Sequence, residues 1–361
     1  MYKVTIKPHW EIGQHSDDSL DTAALLALLT SIRETGSISN AAKETKQSYR
    51  HVWGLLREAE QLFGHPLVIT ERGRGSILTA LAEKLIWADR RIAARLSPTL
   101  ESLASELEGE LSKAVAGSSK TIRLNASHGF AVAALLNQLN AVHLPVDLRY
   151  RNSTDAVSAL ARGECDLAGF HVPFGEFEEA TVALYARWLN KKTHCLIHLA
   201  VRKQGLMVAP GNPKNIHTLS DLANKGVSFV NRQAGSGTRM LLEMLLSKAG
   251  VAQLAIEGFE STEFTHSAVA AFIASGMADV GFGVQTAAER FGLEFIPLIR
   301  ERYFFALPIA AMQDALMQQV ITTIQTDAFR QVVNQLAGYD GSTTGEIFSL
   351  ADAFASLGKH V

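Results

Sequence analysis

The sequence predicts a mainly α, winged helix-turn-helix head followed by a two-lobed α/β domain. Three observations predict it. Up to Phe63, apolar residues recur at helical spacing in three closely spaced segments, and two short β-like runs with glycines between them follow. From Thr121 the pattern changes to alternating strand-like and helix-like runs, the mark of α/β layers. Within that second part, the apolar run Val227–Val230 enters the stretch NRQAGSGTR, Asn231 to Arg239, and a helical run leaves it. A strand–turn–helix of this kind aims free N–H groups at one point, and the helix dipole makes that point attractive to anions.

In the head, Val4-Thr5-Ile6 reads as a short strand. Helical periodicity begins near Asp21, with Leu25, Leu28, Leu29 and Ile32 on one face, and Gly36 stops it. A second short helix starts at Ser37. A third runs from about Ser48 to Phe63 with Val52, Leu55, Leu56, Ala59 and Leu62 on its apolar face. The stretch HPLVITERGRGSILT reads as a β-hairpin wing. Helix, tight turn, helix and wing together describe a DNA reader. The third helix would enter the major groove, with Ser48, Tyr49, Arg50, Trp53 and Arg57 outward. Arg72 and Arg74 would sit at the wing tip against phosphates or the minor groove. Any one of these arginines is equally compatible with a solvated surface charge, and Tyr49 and Trp53 with packing on neighbouring helices. Between Lys46 and Gly75 there are five Lys or Arg against three acids, so position rather than total charge carries the reading.

From about Ala80 a long helix carries a narrow apolar stripe through Leu81, Leu85, Ile92, Leu96, Leu100, Leu103, Leu107 and Leu111. A stripe this narrow pairs most simply with the same helix of a second subunit, giving a dimer or tetramer; packing on the chain's own core is the alternative. Pro98 is expected to kink or split this helix. Residues 116–120 read as a small polar linker. The expected divisions are therefore 1–79 for the head, 80–120 for the helix and linker, and 121–361 for the α/β domain. The last is longer than one α/β lobe, which points to two lobes around a cleft.

Ligands in such folds lie at strand C-termini and helix N-termini. That singles out Ser127 and His128 on the first turn, Asn152, Ser153 and Thr154 on the second, and His171 after the run ending at Phe170. It also singles out Arg232, Gln233, Gly235, Ser236, Gly237, Thr238 and Arg239 in the glycine-rich turn. Thr265, His266 and Ser267 open a later helix that could close the pocket. Gly235 and Gly237 allow close backbone approach, the hydroxyls add donors, and guanidinium forks match paired oxygens. Competing readings stand beside these. Ser153-Thr154 could be only a helix cap, the histidines could be hydrogen-bonded core residues, and Arg239 could pair with Glu243 at i+4.

Composition sets outer bounds. Of 361 residues, 47% are hydrophobic and 19% charged, which suits a chain with a sizeable core and two or three domains. A net charge of -2 means that any nucleic-acid contact must be local. Two cysteines, Cys165 and Cys195, make neither a disulfide framework nor a zinc site, which favours a reducing compartment. The N-terminus does not read as a secretory signal, and no window approaches the ~20 apolar residues of a membrane span. A cytoplasmic location and no membrane contact are expected. No catalytic motif is recognisable (no GxSxG, Walker loop or HExxH), so no enzyme activity, metal or other cofactor is expected.

Two resemblances sharpen these expectations. The segment GSISNAAKETKQSYRHVWGLLREAEQLFGHPLV…GRGSILT resembles the N-terminal domain of ModE-type molybdate-responsive repressors and, more distantly, LysR-type regulators. It implies operator DNA as a double-stranded partner and self-association through the following helix. The ModE effector domain is a pair of small β-barrels, whereas residues 121–361 read as α/β, so that family's molybdate site is not carried over. Residues 121–325 resemble type 2 periplasmic-binding-protein-like domains of the molybdate and tungstate kind, through LNASHGF, STDAVSALARGECDLAGFH, GLMVAPGNPKNIHTLSDL, NRQAGSGTR and GMADVGFG. The two together imply a regulator sensing a small anion: molybdate, tungstate, or another such as formate, since regulators of this kind accompany molybdenum-dependent formate dehydrogenases. The alternative is an enzyme or cofactor-binding protein of molybdenum-cofactor metabolism.

Overall fold

The structure, a computed structural model, describes residues 3–13, 20–71, 75–116 and 120–354. The chain divides into two compact units. One is Lys7–Leu96; the other runs from Ser97 onward and includes the segment before Lys7.

In the first unit, α1 (Thr22–Thr35), α2 (Ile38–Glu44) and α3 (Tyr49–Phe63) are each opened by a side-chain cap. Asp21 accepts from the Ala24 N–H, Ser37 from Asn40 and Ser48 from His51, so each helix start is written locally. Their apolar faces meet in one core that includes Leu25, Leu28, Leu29, Ile32, Ala41, Val52, Leu55 and Ala59. The wing is an antiparallel hairpin of β1 (Val68–Glu71) and β2 (Gly75–Leu78), paired from Val68↔Leu78 to Glu71↔Gly75. Gly75 has φ +89°, and a Cβ there would fall 2.5 Å from the Gly36 carbonyl, which accepts the Ser76 N–H. Only glycine permits the wing to lie this close to the end of α1. Arg72 and Arg74, expected at the wing tip, lie outside the described residues.

The helix α4 (Ala80–Ala116) is continuous through Pro98, so the expected split does not occur. The division between the two units nevertheless falls between Leu96 and Ser97, beside that proline. The proline ring removes one N–H and crowds the preceding turn, yet both flanking stretches keep helical order. Of the expected stripe, Leu81 and Leu85 pack against the core of the first unit, whereas Leu96, Leu103, Leu107 and Leu111 are exposed along α4. The strand expected at Val4–Ile6 is not formed; the Val4 N–H instead donates to Glu108 on α4 at 2.7 Å. Residues 117–119 of the expected linker lie outside the described residues.

The second unit alternates as expected: β3 (Ile122–Ala126), α5 (Phe130–Ala141), β4 (Val146–Tyr150), α6 (Ser153–Ala161), β5 (Leu167–Pro173) and α7 (Glu178–Ala186). The long strand β6 (His194–Val208) follows, then β7 (Phe229–Arg232), α8 (Gly237–Ala249), β8 (Thr262–Glu263), α9 (His266–Ala274), β9 (Val280–Val284) and α10 (Gln285–Arg290). A second long strand, β10 (Glu294–Pro308), leads to α11 (Ala315–Gln325), α12 (Asp327–Asn334), β11 (Tyr339–Asp340), β12 (Ile347–Ser349) and α13 (Leu350–Ala353). Strand order is β4-β3-β5-β10-β6-β9-β7-β8.

The strands β6 and β10 make two lobes out of one sheet. They run antiparallel along most of their lengths, from Pro308↔His194 to Glu294↔Val208. The C-terminal half of β10 also pairs with β5, and the C-terminal end of β6 also pairs with β9. Separate cores lie on either side: one includes Leu124, Leu135, Leu148 and Phe305, and another includes Phe229, Leu242, Val280 and Phe282. In the sequence, β6 shows only as apolar fragments at Val201 and Leu206–Ala209, and β10 gives no strand signal. The reason is physical. Both strands carry charges at mid-length, and β10 contains Pro297, which the sheet absorbs in a register shift between Pro297 and Ile299.

Candidate functional site

Four helix N-termini meet around the middle of the paired strands β6 and β10. Ser127 and Gly129 lead from β3 into α5, and Asn152 and Ser153 lead from β4 into α6. Ser236 and Gly237 lead from β7 into α8, and Thr265 and His266 open α9. Two of these starts belong to each lobe. They come close: a Cβ on Gly237 would lie 3.8 Å from Ser153 Oγ, and one on Gly129 would lie 3.6 Å from an Arg202 Nη. Each start presents N–H groups without intrahelical acceptors, so the meeting point carries positive potential before any side chain is counted.

The side chains add to it. Arg202 on β6 and Arg232 at the end of β7 are both buried, at 3% and 8% exposure. Arg202 is compensated: its Nε donates to Glu301 Oε1 on the facing β10 at 2.5 Å, and Gln204 Nε2 donates to the same oxygen at 2.7 Å. Burial works against the Arg202 charge, and Glu301 more than restores it, so its pKa lies above the usual guanidinium value. Arg232 has a different environment. One Nη donates to the Phe264 carbonyl at 2.7 Å, while its buried Nε has no hydrogen-bond partner. Burial first, then the charge of Arg202, push its pKa down to about 9. A guanidinium stays charged in a protein at neutral pH. The depression therefore expresses an unmet demand for negative charge.

Two histidines complete the cluster. His171 on β5 has Nδ1 3.3 Å from Ser153 Oγ and 3.5 Å from Ser127 Oγ, and its Nε2 lies 3.9 Å from Glu301 Oε1. The ring sits edge-on to Tyr303 at 4.3 Å. His266 is the first residue of α9, buried at 3% exposure, with Nδ1 unpartnered. Burial, then the two arginines, hold both imidazoles well below their ordinary pKa, so both are neutral at physiological pH.

The structure distributes the residues singled out in the sequence unevenly. Ser127, Ser153, His171 and Arg232 come together. Ser236 caps α8 by accepting the Arg239 N–H at 3.2 Å, and an accepting hydroxyl keeps its own proton to donate. Gly237 and Thr238 are the first residues of α8, and Thr238 is buried. Gly235, at φ +80°, makes the turn ahead of that cap, and the half-buried Gln233 is bound through its backbone to Glu263 and Ser236. Thr154 is half-buried at the second position of α6. Asn152 is spent as the α6 cap, with its oxygen accepting the Asp155 N–H and its amide donating to the Asp155 carboxylate. His128 lies beside Glu101, at 3.8 Å, and edge-on to Tyr150.

Arg239 corrects the expectation for its guanidinium, which pairs with Glu243 at 2.9 Å and Glu260 at 3.0 Å and lies over the Phe259 ring. The i+4 alternative is the one realised. Sequence reasoning missed Arg202, Gln204 and Glu301. The available signal was period-2 spacing of polar residues inside otherwise apolar strands: Arg202 and Gln204 on β6, Glu301 and Tyr303 on β10.

In the first unit, α3 presents Ser48, Tyr49, Arg50 and Arg57 to solvent, while Trp53 is half-buried with Tyr49 edge-on to it at 6.2 Å. The polar face is therefore contiguous, opposite the buried Val52, Leu55, Leu56 and Ala59.

Comparison with known proteins agrees with both units. Residues 24–83 match the bacterial regulatory helix-turn-helix family of LysR type, and residues 134–325 match the PBP superfamily domain, that of periplasmic-binding proteins. Among curated proteins, the chain is 31% identical over 208 residues to YvgK of Bacillus subtilis, covering 58% of this chain and 67% of that protein. It is 30% identical over 142 residues to a protein named molybdenum-pterin-binding protein MopB of Rhodobacter capsulatus, covering 38% of this chain and about half, 52%, of that one. Among solved structures it is similar to Corynebacterium glutamicum OxyR, at 16% identity and TM-score 0.42, covering 88% of this chain and 95% of that one. Among the described residues, no helix is long and apolar enough to cross a membrane. With its helix-turn-helix of LysR type and an effector domain covering more than half its length, the chain belongs to the PBP superfamily and is a DNA-binding transcriptional regulator of LysR type.

Proposed function

We propose that this regulator responds to a small oxyanion held between the two lobes, with molybdate and tungstate the first candidates and formate another. It would control genes of molybdenum-related metabolism or formate dehydrogenase. The observation that carries the reading is Arg232: a buried guanidinium with no carboxylate partner among the described residues, at the meeting of four helix starts. Its unmet charge favours an anion there, and the hydroxyls of Ser127, Ser153, Ser236 and Thr238 would add donors to its remaining oxygens. Gly235 and Gly237 would let the α8 backbone approach it. The choice of molybdate and tungstate is supported by the similarity to the protein named for binding molybdenum-pterin. Operator DNA is the second partner, read by the outward face of α3 (Tyr49, Arg50, Trp53 and Arg57) and its cap Ser48, with Arg72 and Arg74, which lie between β1 and β2 in the sequence, as further contacts. The exposed leucines of α4 would pair with a second copy. An anion that binds one lobe arrangement better than another shifts the population of the two, and that difference is what DNA affinity reads.

Two measurements on the full chain test this. Thermal unfolding with molybdate, tungstate, sulfate, phosphate and formate should show a rise in Tm for the effector, about 2.7 kcal/mol of stabilisation at a hundredfold excess over Kd. Retardation of DNA from the gene's own promoter region should fall steeply with salt, and Arg50→Ala should weaken it by about 1–3 kcal/mol. No anion shift, or turnover of a molybdenum cofactor without DNA binding, would transfer support to an enzyme.

A further inference from the structure

The charges around the cleft do not balance for a doubly charged ligand. Arg202 is offset by Glu301, so Arg232 is the arginine left to meet an anion, and Glu263, buried on β8 in register with Arg232, adds to the negative side. A monoanion is the most that Arg232 can offset. A dianion brings at least one negative charge more, into a place where unpaired charge is costly. Two groups at the same place can supply the missing positive charge by taking a proton. His171 and His266 are both buried, and each has a ring nitrogen, Nε2 and Nδ1 respectively, with no hydrogen-bond partner among the described residues.

The surroundings of each ring are defined. His171 faces Ser127 beyond β3, Ser153 of α6, Glu301 and Tyr303 of β10, Arg202 of β6 and Arg232 of β7. Tyr185 of α7 donates to its carbonyl at 3.2 Å. His266 feels Arg232, Arg202, His171 and His128. A Cβ on Gly283 of β9 would lie 3.1 Å from its Nδ1 and 2.7 Å from Met207 Cε of β6, so the ring is walled there by glycine backbone and a thioether. Glu301, already bonded by Arg202 and Gln204, lies 3.9 Å from His171 Nε2. In the absence of an anion the two arginines oppose protonation of either ring. An anion placed between arginine and imidazole reverses the sign of the local field and favours it.

We infer that the cleft takes a dianionic oxyanion together with one proton, which is held on His171 or His266. This rests on the proposed anion site and adds its charge class and its coupling to pH. The sign follows from linkage. With the imidazole unprotonated in the free protein and protonated in the complex, binding consumes a proton. Affinity for the dianion then rises as pH falls, by up to tenfold per pH unit for one proton.

The test is calorimetric titration of the full chain with molybdate and with tungstate in two buffers of different ionisation enthalpy, from about pH 6 to pH 8. The expected result is a buffer-dependent heat equal to uptake of close to one proton, with Kd rising as pH rises. His171→Gln and His266→Gln, measured separately, should differ: the variant that removes the proton carrier loses the uptake and the pH slope. Equal heats in both buffers, together with a flat Kd, overturn the inference while leaving the anion site standing. Absence of binding by both anions at every pH removes this inference and the molybdate–tungstate reading together.

Discussion

Arg232→Ala is expected to abolish the anion-induced rise in Tm and to raise Kd for the effector at least about thirtyfold. Truncating one partner of a buried, hydrogen-bonded charge pair costs roughly 2–5 kcal/mol, and tenfold in Kd is about 1.4 kcal/mol. The ligand-free protein should tolerate the change better than is usual for a buried arginine. In the wild-type chain that guanidinium is desolvated and repelled by Arg202, so its loss removes an unfavourable charge along with one hydrogen bond to Phe264. Arg232→Lys should not restore full affinity, because an ammonium lacks the planar fork that matches two oxygens at once. Titration of the folded variants by calorimetry separates loss of binding from loss of structure. A variant that unfolds normally and still binds with parental affinity would remove Arg232 from the site.

Glu301→Gln should have the largest effect on stability. It leaves Arg202 and Arg232 buried together with no compensating carboxylate on β10. Removing one member of a buried ion pair costs roughly 3–5 kcal/mol. For a domain of this size that corresponds to a fall in Tm of roughly 10 °C. The loss should be largest without effector and should shrink when a small oxyanion is added, because the anion then supplies the missing negative charge. Scanning calorimetry with and without anion checks both parts. A variant as stable as the parent would show that the Arg202–Glu301 pair does not hold the paired strands.

The head was the most legible part of the sequence, because its signals are local. Asp21, Ser37 and Ser48 each mark a helix start and act there as caps, and Gly36 and Gly64 end α1 and α3 in left-handed conformations. In the α/β part α5, α6, α8 and α9 were legible, the last three opened by the caps Asn152, Ser236 and Thr265, whereas α7 and α10 to α13 were not. What was not legible depends on partners far along the chain. Arg202 and Glu301 are 99 positions apart and become neighbours only through the pairing of β6 with β10. Nothing near either residue announces the other. Ser153 and His171 were singled out as separate turn residues, and their proximity is a product of the parallel sheet order rather than of local spacing. Arg239 shows the converse. Its local i+4 partner, Glu243, was visible in the sequence, and that local bond takes the guanidinium.

The most direct measurement is a crystal structure of the full chain grown with tungstate, whose metal scatters strongly enough to be located without ambiguity. The account predicts one strong peak between the lobes, within hydrogen-bonding reach of the Arg232 guanidinium and the Ser153 hydroxyl, and its loss in Arg232→Ala crystals. A peak only on the outer surface, or density in the cleft that traces to a side chain of the protein itself, would contradict it.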